Sequence, residues 1–411
     1  MRRFDEAEVL ALDREDGFAP YRAAFELPDG VIYLDGNSLG PLTRTARLRV
    51  AETVETQWGV GLIRSWNTHN WIDLPSQVGA KIARLIGAAP GTVTVADSTS
   101  INLFKVLAVA LAKRPERRVM LTEAGNFPTD VYIADGLTTL LGRGYEVRQA
   151  EAGALGEAID GSVAVVLLTE VNYRTGARLD MASLTAKAHA AGALIIWDLA
   201  HSAGAFPVDL KGADADFAVG CGYKYLNGGP GAPAFVYVAP RHLPGLRQPL
   251  SGWLGHAEPF AFAAEYLPHA SIEAMRTGTP PILSMAALDA AIEVFDGVDL
   301  LALRAKADRL FDIFTGELAA LCPELELLTP SEPARRGTQA SLRFAEAYPV
   351  MQALIAKGVI GDFRQPDILR FGLTPLYLRH IDVFRAARVL AGIIAQRQWD
   401  RPEFKVRAKV V

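Results

Sequence analysis

Leu194-Ile-Ile-Trp-Asp198-Leu-Ala-His201-Ser-Ala-Gly204 and, after a polar interval, Phe217-Ala-Val-Gly-Cys-Gly-Tyr223-Lys224-Tyr-Leu-Asn227 decide how this chain is read. The first segment is an apolar run closed by a carboxylate. The second brings a lysine 26 residues later (224 − 198), between glycines and apolar residues. Such an acid and amine suit opposite sides of one heterocycle: the acid keeps a ring nitrogen protonated, and the amine holds the ring's aldehyde as a Schiff base. Burial among apolar flanks lowers a lysine's pKa and makes the amine nucleophilic. The glycines let main chain approach a ring closely. Singly, each residue has a plainer reading. Asp198 serves equally as a cap for the following helix, most lysines are solvated, and His201 fits a satisfied buried histidine as well as a group orienting the acid.

Outward from this stretch, short apolar runs alternate with helical periodicity. Strands are predicted at 93–96, 118–121, 145–148, 163–168, 194–197, 217–220 and 234–238, and helices at 76–87, 101–112, 130–141 and 182–191. Nearly unbroken apolar strands alternating with helices predict an α/β fold: a mainly parallel seven-stranded sheet covered by helices. Past Pro281 the texture changes. Helices are predicted over 282–295, 300–321 and 382–396, with short strands at 340–344 and 368–371, giving a smaller α+β domain. The expected division is an N-terminal segment of residues 1–57 packing with the small domain, a large domain over 58–285 and the small C-terminal domain over 286–411.

Ligands on such a sheet bind where the strands' carboxyl ends meet the next loops. Asp97-Ser-Thr99-Ser100-Ile-Asn102 follows a strand and opens a helix, offering hydroxyls and free amides to a phosphate. Serine and threonine are also ordinary helix caps. Phe127-Pro-Thr-Asp130 opens the next helix with an aromatic that could stack on a ring. Tyr33-Leu-Asp-Gly-Asn-Ser38-Leu-Gly-Pro41 is either a surface turn or a ligand-contacting loop, and Gly61-Leu-Ile-Arg-Ser-Trp66-Asn-Thr-His-Asn-Trp71 either a packed loop or an aromatic substrate lining. The order hydroxyl loop, aromatic, acid, lysine along an alternating chain points to pyridoxal phosphate.

Composition narrows the class. Of 411 residues half are hydrophobic, and 42 basic against 46 acidic residues give a net charge of −4 with no basic stripe. Nucleic acid and anionic membranes are therefore not expected as partners. Two cysteines, Cys221 and Cys322, exclude a disulfide framework and a cysteine zinc cluster, and no metal is expected. The charged start is unlike a signal peptide and no apolar run reaches membrane-spanning length, so a cytoplasmic location is expected.

With these residues in place, the chain resembles the pyridoxal-phosphate enzymes of fold type I, in the class V aminotransferase branch, and within it the kynureninase family. The resemblance runs through Gly36-Asn-Ser-Leu-Gly40, Asn102-Leu103, Phe127–Asp130, Trp197-Asp-Leu-Ala-His201, Tyr223-Lys-Tyr-Leu-Asn227, Gly252-Trp253, Pro280-Pro-Ile, and Arg370 ahead of Pro375-Leu-Tyr. It implies hydrolytic cleavage of L-kynurenine to anthranilate and L-alanine in tryptophan catabolism. It further implies a Schiff base on Lys224, Asp198 at the pyridine nitrogen, and His201 and Asp130 beside the cofactor, with Phe127 stacked on its ring. Thr99, Ser100, Thr169 and Tyr223 would hold the phosphate or polar edge, and Trp253 and Thr279 would complete the site across a homodimer interface. Arg370 would grip the small amino-acid substrate's carboxylate by its planar fork, with Ser38 and Trp66 toward the aromatic end. Some family members carry Asn where Thr279 stands. That position bears on the 3-hydroxylated substrate, and the unsubstituted one is expected here.

Four rival readings stand beside this one. A cysteine desulfurase needs a mobile-loop cysteine, and neither Cys221 nor Cys322 is placed for that. A class V aminotransferase shares the local chemistry. A non-catalytic binding protein predicts loss of the lysine or the carboxylate, yet both are present. A nicotinamide-binding protein lacks support, since no GxGxxG follows the first strand.

Overall fold

Val163–Thr169 is buried at all seven positions, which requires a strand covered on both faces. In the computed structural model, which describes residues 2–408, it lies within a seven-stranded sheet. The strands are β1 (Val93–Val95), β2 (Val119–Glu123), β3 (Glu146–Ala150), β4 (Val163–Thr169), β5 (Leu194–Asp198), β6 (Phe217–Gly220) and β7 (Phe235–Val238), in the order β1-β7-β6-β5-β4-β2-β3. β7 runs antiparallel to both its neighbours, and the other pairs are parallel. The sequence thus places every strand of this sheet, with ends shifting by one or two residues at most.

Three crossover helices follow from the same alternation: α1 (Thr99–Ala112), α2 (Pro128–Leu141) and α3 (Met181–Ala190). Pro128 opens α2, where a missing N–H costs nothing, and Gly142 ends it at φ 60°. Asp180 caps α3 by accepting from the Ser183 amide at 3.0 Å. Leu103, Val106, Leu107 and Val109 of α1 share one core with Leu167, Ile196, Val219 and Val236 of the sheet. Each such side chain contributes about 1.5–3 kcal/mol on burial. This core fixes the carboxyl ends of β2, β4, β5 and β6, where the polar residues collect.

The chain divides into two units. The larger comprises Ala46–Asn172 and Leu179–Ile292; the other takes the chain up to Thr45, Tyr173–Arg178, and the chain from Glu293 onward. The boundaries thus fall at 45/46 and 292/293, where the sequence suggested 57/58 and 285/286. The 173–178 excursion comes from backbone pairing, with Arg178 N donating to Arg335 O at 2.8 Å and Gly337 N to Gly176 O at 2.9 Å. The smaller unit carries helices Leu300–Leu321 and His380–Ala395 and an antiparallel sheet of β8 (Glu326–Leu327), β9 (Gln339–Arg343), β10 (Asp362–Arg364) and β11 (Ile368–Gly372), in the order β10-β11-β9-β8. A helix the sequence reading passes over, Ala347–Ala356, holds Pro349 in its first turn, where proline is tolerated. Among the described residues no helix is long and apolar enough to cross a membrane.

Candidate active site

β4 and β5 are neighbours in parallel register, so their last residues, Thr169 and Asp198, stand side by side. β2 leads through Asn126 and Phe127 into α2, which sets Asp130 in the helix's first turn. The Thr169 hydroxyl lies 2.6 Å from Asn126 Oδ1 and 3.3 Å from Asp130 Oδ2. Asp198 accepts from the Ala200 amide at 2.7 Å and is hydrogen-bonded to Asp130. Beyond the end of β6 the chain runs into Cys221-Gly-Tyr223-Lys224, and the Lys224 Nζ stands 3.1 Å from His201 Nε2. The amine also lies 5.9 Å from the centre of the Phe127 ring and 5.8 Å from that of Tyr223.

Burial dominates the electrostatics here. It pushes the Asp130 carboxyl well above the usual range, and the neighbouring Asp198 charge pushes it further. Burial raises Asp198 as well, but the charge of Lys224 and the Ala200 amide pull it back. Asp130 is therefore the neutral member and Asp198 the anion of a carboxyl pair facing an amine.

The loop predicted to take an anion opens α1. Ser98 caps the helix by accepting from the Ile101 amide at 3.4 Å, and Thr99 and Ser100 occupy its first turn. Asp97, in the left-handed region at φ 49°, is ion-paired to Lys105, which also donates to Met275 O at 2.7 Å. Asp97 and Thr279 line a cavity of about 450 Å³ together with Arg276 and Gly231. Trp253 belongs to an exposed aromatic group with Phe260 and Phe262, at centroid distances of 5.7 and 6.4 Å. Trp66 packs edge-on to Trp71, whose indole N–H donates to Gln57 Oε1 at 2.8 Å. Cys221 is buried, its thiol pushed up by that burial, and Cys322 is buried too.

Ser38 and Arg370 come together in the smaller unit. Arg370 sits opposite Asp362 in the β10–β11 register, and its fork is already engaged there: Nε donates to Asp362 Oδ1 at 2.8 Å and Nη2 to Oδ2. Nη2 also donates to the Ser38 hydroxyl at 2.8 Å, and Nη1 to Tyr173 O at 2.7 Å. The fork thus holds Asp362 in this structure, with one Nη1 hydrogen beyond these bonds. Asn126, Lys105, Asp35, Asp362 and Arg364 were not singled out by sequence. Asp362-Phe-Arg364 carried a usable signal, since strand alternation puts both charges on one face.

The kynureninase C-terminal domain family matches residues 303–390. A kynureninase from Burkholderia pseudomallei is 52% identical over 410 residues, covering 98% of this chain and 99% of that protein. One from Pseudomonas fluorescens is 50% identical over the same span. Among solved structures, a cysteine desulfurase from Escherichia coli superposes with a TM-score of 0.77 at 19% identity, covering 93% of this chain and 99% of that one. The lyase C-DES, with glycine covalently linked to its PLP cofactor, gives 0.76 at 17% identity, covering 94% and 99%. These structures share the fold type I architecture that the sequence predicts. With half its residues identical along nearly the whole length, the chain belongs to the kynureninase family.

Proposed function

We propose that this protein is a pyridoxal-phosphate-dependent hydrolase that splits the Cβ–Cγ bond of L-kynurenine with one water, giving anthranilate and L-alanine. The observation carrying the reading is the Lys224 amine, 3.1 Å from His201, beside the buried Asp198–Asp130 pair, in a chain that matches kynureninases along 98% of its length. The residues fit the cofactor: a buried anion for a pyridinium, an amine for an aldehyde and a hydroxyl-bearing helix start for a phosphate. When bound, the cofactor supplies an electron sink for negative charge developing at the substrate's Cα.

In this reading Lys224 would hold the cofactor's aldehyde carbon, and its free amine would take the substrate's Cα proton. Asp198 keeps the ring nitrogen protonated, and neutral Asp130 donates to Asp198. Thr99, Ser100, Thr169, Tyr223 and His201 hold the polar edges, and Phe127 stacks on the ring. Tyr223, next to the lysine, delivers the proton to Cβ after the carbon–carbon bond breaks. Ser38, Trp66 and Arg370 meet the substrate's ends, and the substrate lacks the 3-hydroxyl.

The protein acts as a cytoplasmic homodimer in which Trp253 and Thr279 complete the partner's site. Support for pairing comes from large apolar side chains left exposed on the larger unit, among them Trp58, Ile63, Phe260 and Phe262. Sedimentation at micromolar concentration should give a mass of two chains, and a single-chain mass would refute the pairing.

The deciding experiment is purified, cofactor-loaded protein mixed with L-kynurenine. Anthranilate fluorescence should grow with an equal amount of alanine. Alanine appearing only on addition of pyruvate, without anthranilate, would make the enzyme an aminotransferase instead. Tyr223→Phe should lower kcat about 10²–10⁴-fold, the usual share of a positioned proton donor.

A further inference from the structure

The turn Asp35–Gly40 lies against the β10–β11 sheet of the smaller unit at a separation only glycines permit. A Cβ on Gly36 would stand 2.3 Å from the Tyr377 hydroxyl, and one on Gly372 would stand 2.3 Å from Asn37 Oδ1. The fit presses Asp35 and Ser38 onto three charged groups of the sheet. Asp362 is fully used there. It accepts both nitrogens of the Arg370 fork, Arg364 Nη2 at 2.7 Å and the Ser38 hydroxyl at 2.6 Å.

Ser38 has one hydrogen, which it gives to Asp362, while its oxygen accepts from Arg370 at 2.8 Å. Asp35 also meets that hydroxyl, a hydrogen bond that lowers its pKa by less than burial and the Asp362 charge raise it. Asp35 Oδ1 is buried with no hydrogen-bond partner, a costly position for an ionised oxygen. The groups facing Asp35 are Asp362, Arg364 and Arg370 from the sheet and Tyr33 from its own segment. Tyr33 stays neutral: burial and then the Asp35 charge push its phenol up, and it donates to Leu39 O at 2.7 Å. Tyr173 lies near Arg364. The charge count therefore turns on Asp35. Two arginines and Asp362 sum to one positive charge if Asp35 is neutral, and to none once Asp35 ionises. Donors open on the cationic side include one Nη1 hydrogen of Arg370 and the buried Nε–H of Arg364.

We propose that Asp35 is a specificity-determining residue: protonated, it leaves the Arg364–Arg370–Asp362 cluster one positive charge, which seats the α-carboxylate of the amino-acid substrate, and ionised, it cancels that charge. The proposal rests on the kynurenine reading above and deepens it. Burial, and then the charge of Asp362, push Asp35 up to about 7, so the changeover falls near neutrality. Anion affinity is highest below that point and falls above it.

The test uses the holoenzyme and 4-(2-aminophenyl)-4-oxobutanoate, the kynurenine skeleton without the amine, so that no bond to the cofactor enters the measurement. Its inhibition constant is measured against L-kynurenine from pH 6 to 9 and compared with that of the matching carboxamide. The carboxylate's constant should rise about tenfold between pH 7 and 8.5, the slope of a single ionisation. The carboxamide's should stay flat. In Asp35→Asn, which keeps the shape of the neutral acid, the carboxylate's rise should vanish. A rise that persists in the variant overturns the proposal. So do parallel pH profiles for carboxylate and carboxamide in the parent enzyme, which need no variant to fold. In both cases anthranilate still forms, so the substrate reading survives. Absence of anthranilate at every pH would remove that reading and the carboxylate seat together.

Discussion

Asp130, from the first turn of α2, and Asp198, from the end of β5, are hydrogen-bonded to each other, and both are buried. Two carboxylates so placed cannot both ionise, and burial together with the Asp198 charge makes Asp130 the one that keeps a proton. Asn therefore mimics the working state of Asp130 but not that of Asp198. Cofactor titration followed by absorbance should show Asp130→Asn within about threefold of the parent dissociation constant. Asp198→Asn should weaken binding about tenfold or more, since one unit of pKa-scale coupling is a factor of ten. Equal losses in the two variants would reverse or abolish the assignment.

Lys224 answers a different measurement. Its amine stands 3.1 Å from His201 Nε2 and is approached by two aromatic rings. Lys224→Ala should lower turnover at least about a thousandfold, within the range lost with a positioned acid–base group. It should also remove the near-visible absorbance of cofactor-loaded protein, which a merely structural lysine would leave in place.

The legible parts of this chain are those whose physics is local. Val163–Thr169 and Leu194–Asp198 read as strands because every residue is apolar until the carboxyl end, and that end is where the chemistry sits. Lys224 stood out through its glycine and apolar flanks. Asp35 did not, because its turn meets the charged sheet only across the chain, as the Ser38–Asp362 and Ser38–Arg370 bonds spanning 324 and 332 residues show, whereas Asp362 lies close in sequence to both its arginines. The 173–178 excursion was hidden for the same reason: its pairing lies in the backbone of a distant segment and leaves no periodic trace. Arg370 was identified by resemblance, yet only the register of β10 against β11 reveals that Asp362 occupies its fork.

Asp216 gives a test of stability separate from the active site. It is buried just ahead of β6, and burial alone would raise its pKa. Hydrogen bonds from His242 and His189, the Ile195 amide and the Arg241 charge outweigh that and hold it well below 3.8. A depressed carboxylate stabilises the fold above its unfolded pKa and loses that contribution as pH falls toward the folded value. Asp216→Ala should cost about 3–5 kcal/mol at pH 7, the usual cost of breaking a buried charged network. The gap between parent and variant in urea unfolding should narrow below about pH 4. A gap that widened on acidification would contradict the sign.

The Asp362–Arg370 pair invites a double-variant measurement. Both side chains are 1% exposed, so removing Asp362 alone leaves a buried guanidinium without its bidentate partner. Asp362→Leu should therefore destabilise by about 3–5 kcal/mol. Adding Arg370→Met removes the stranded charge and should restore part of that loss, because an apolar pair of similar volume avoids the desolvation cost altogether. Urea unfolding of the parent, both single variants and the double variant closes the cycle. Strictly additive losses would mean that the two groups act independently despite the 2.8 Å Nε–Oδ1 hydrogen bond between them, and would take from Asp362 the task of holding the arginine in place.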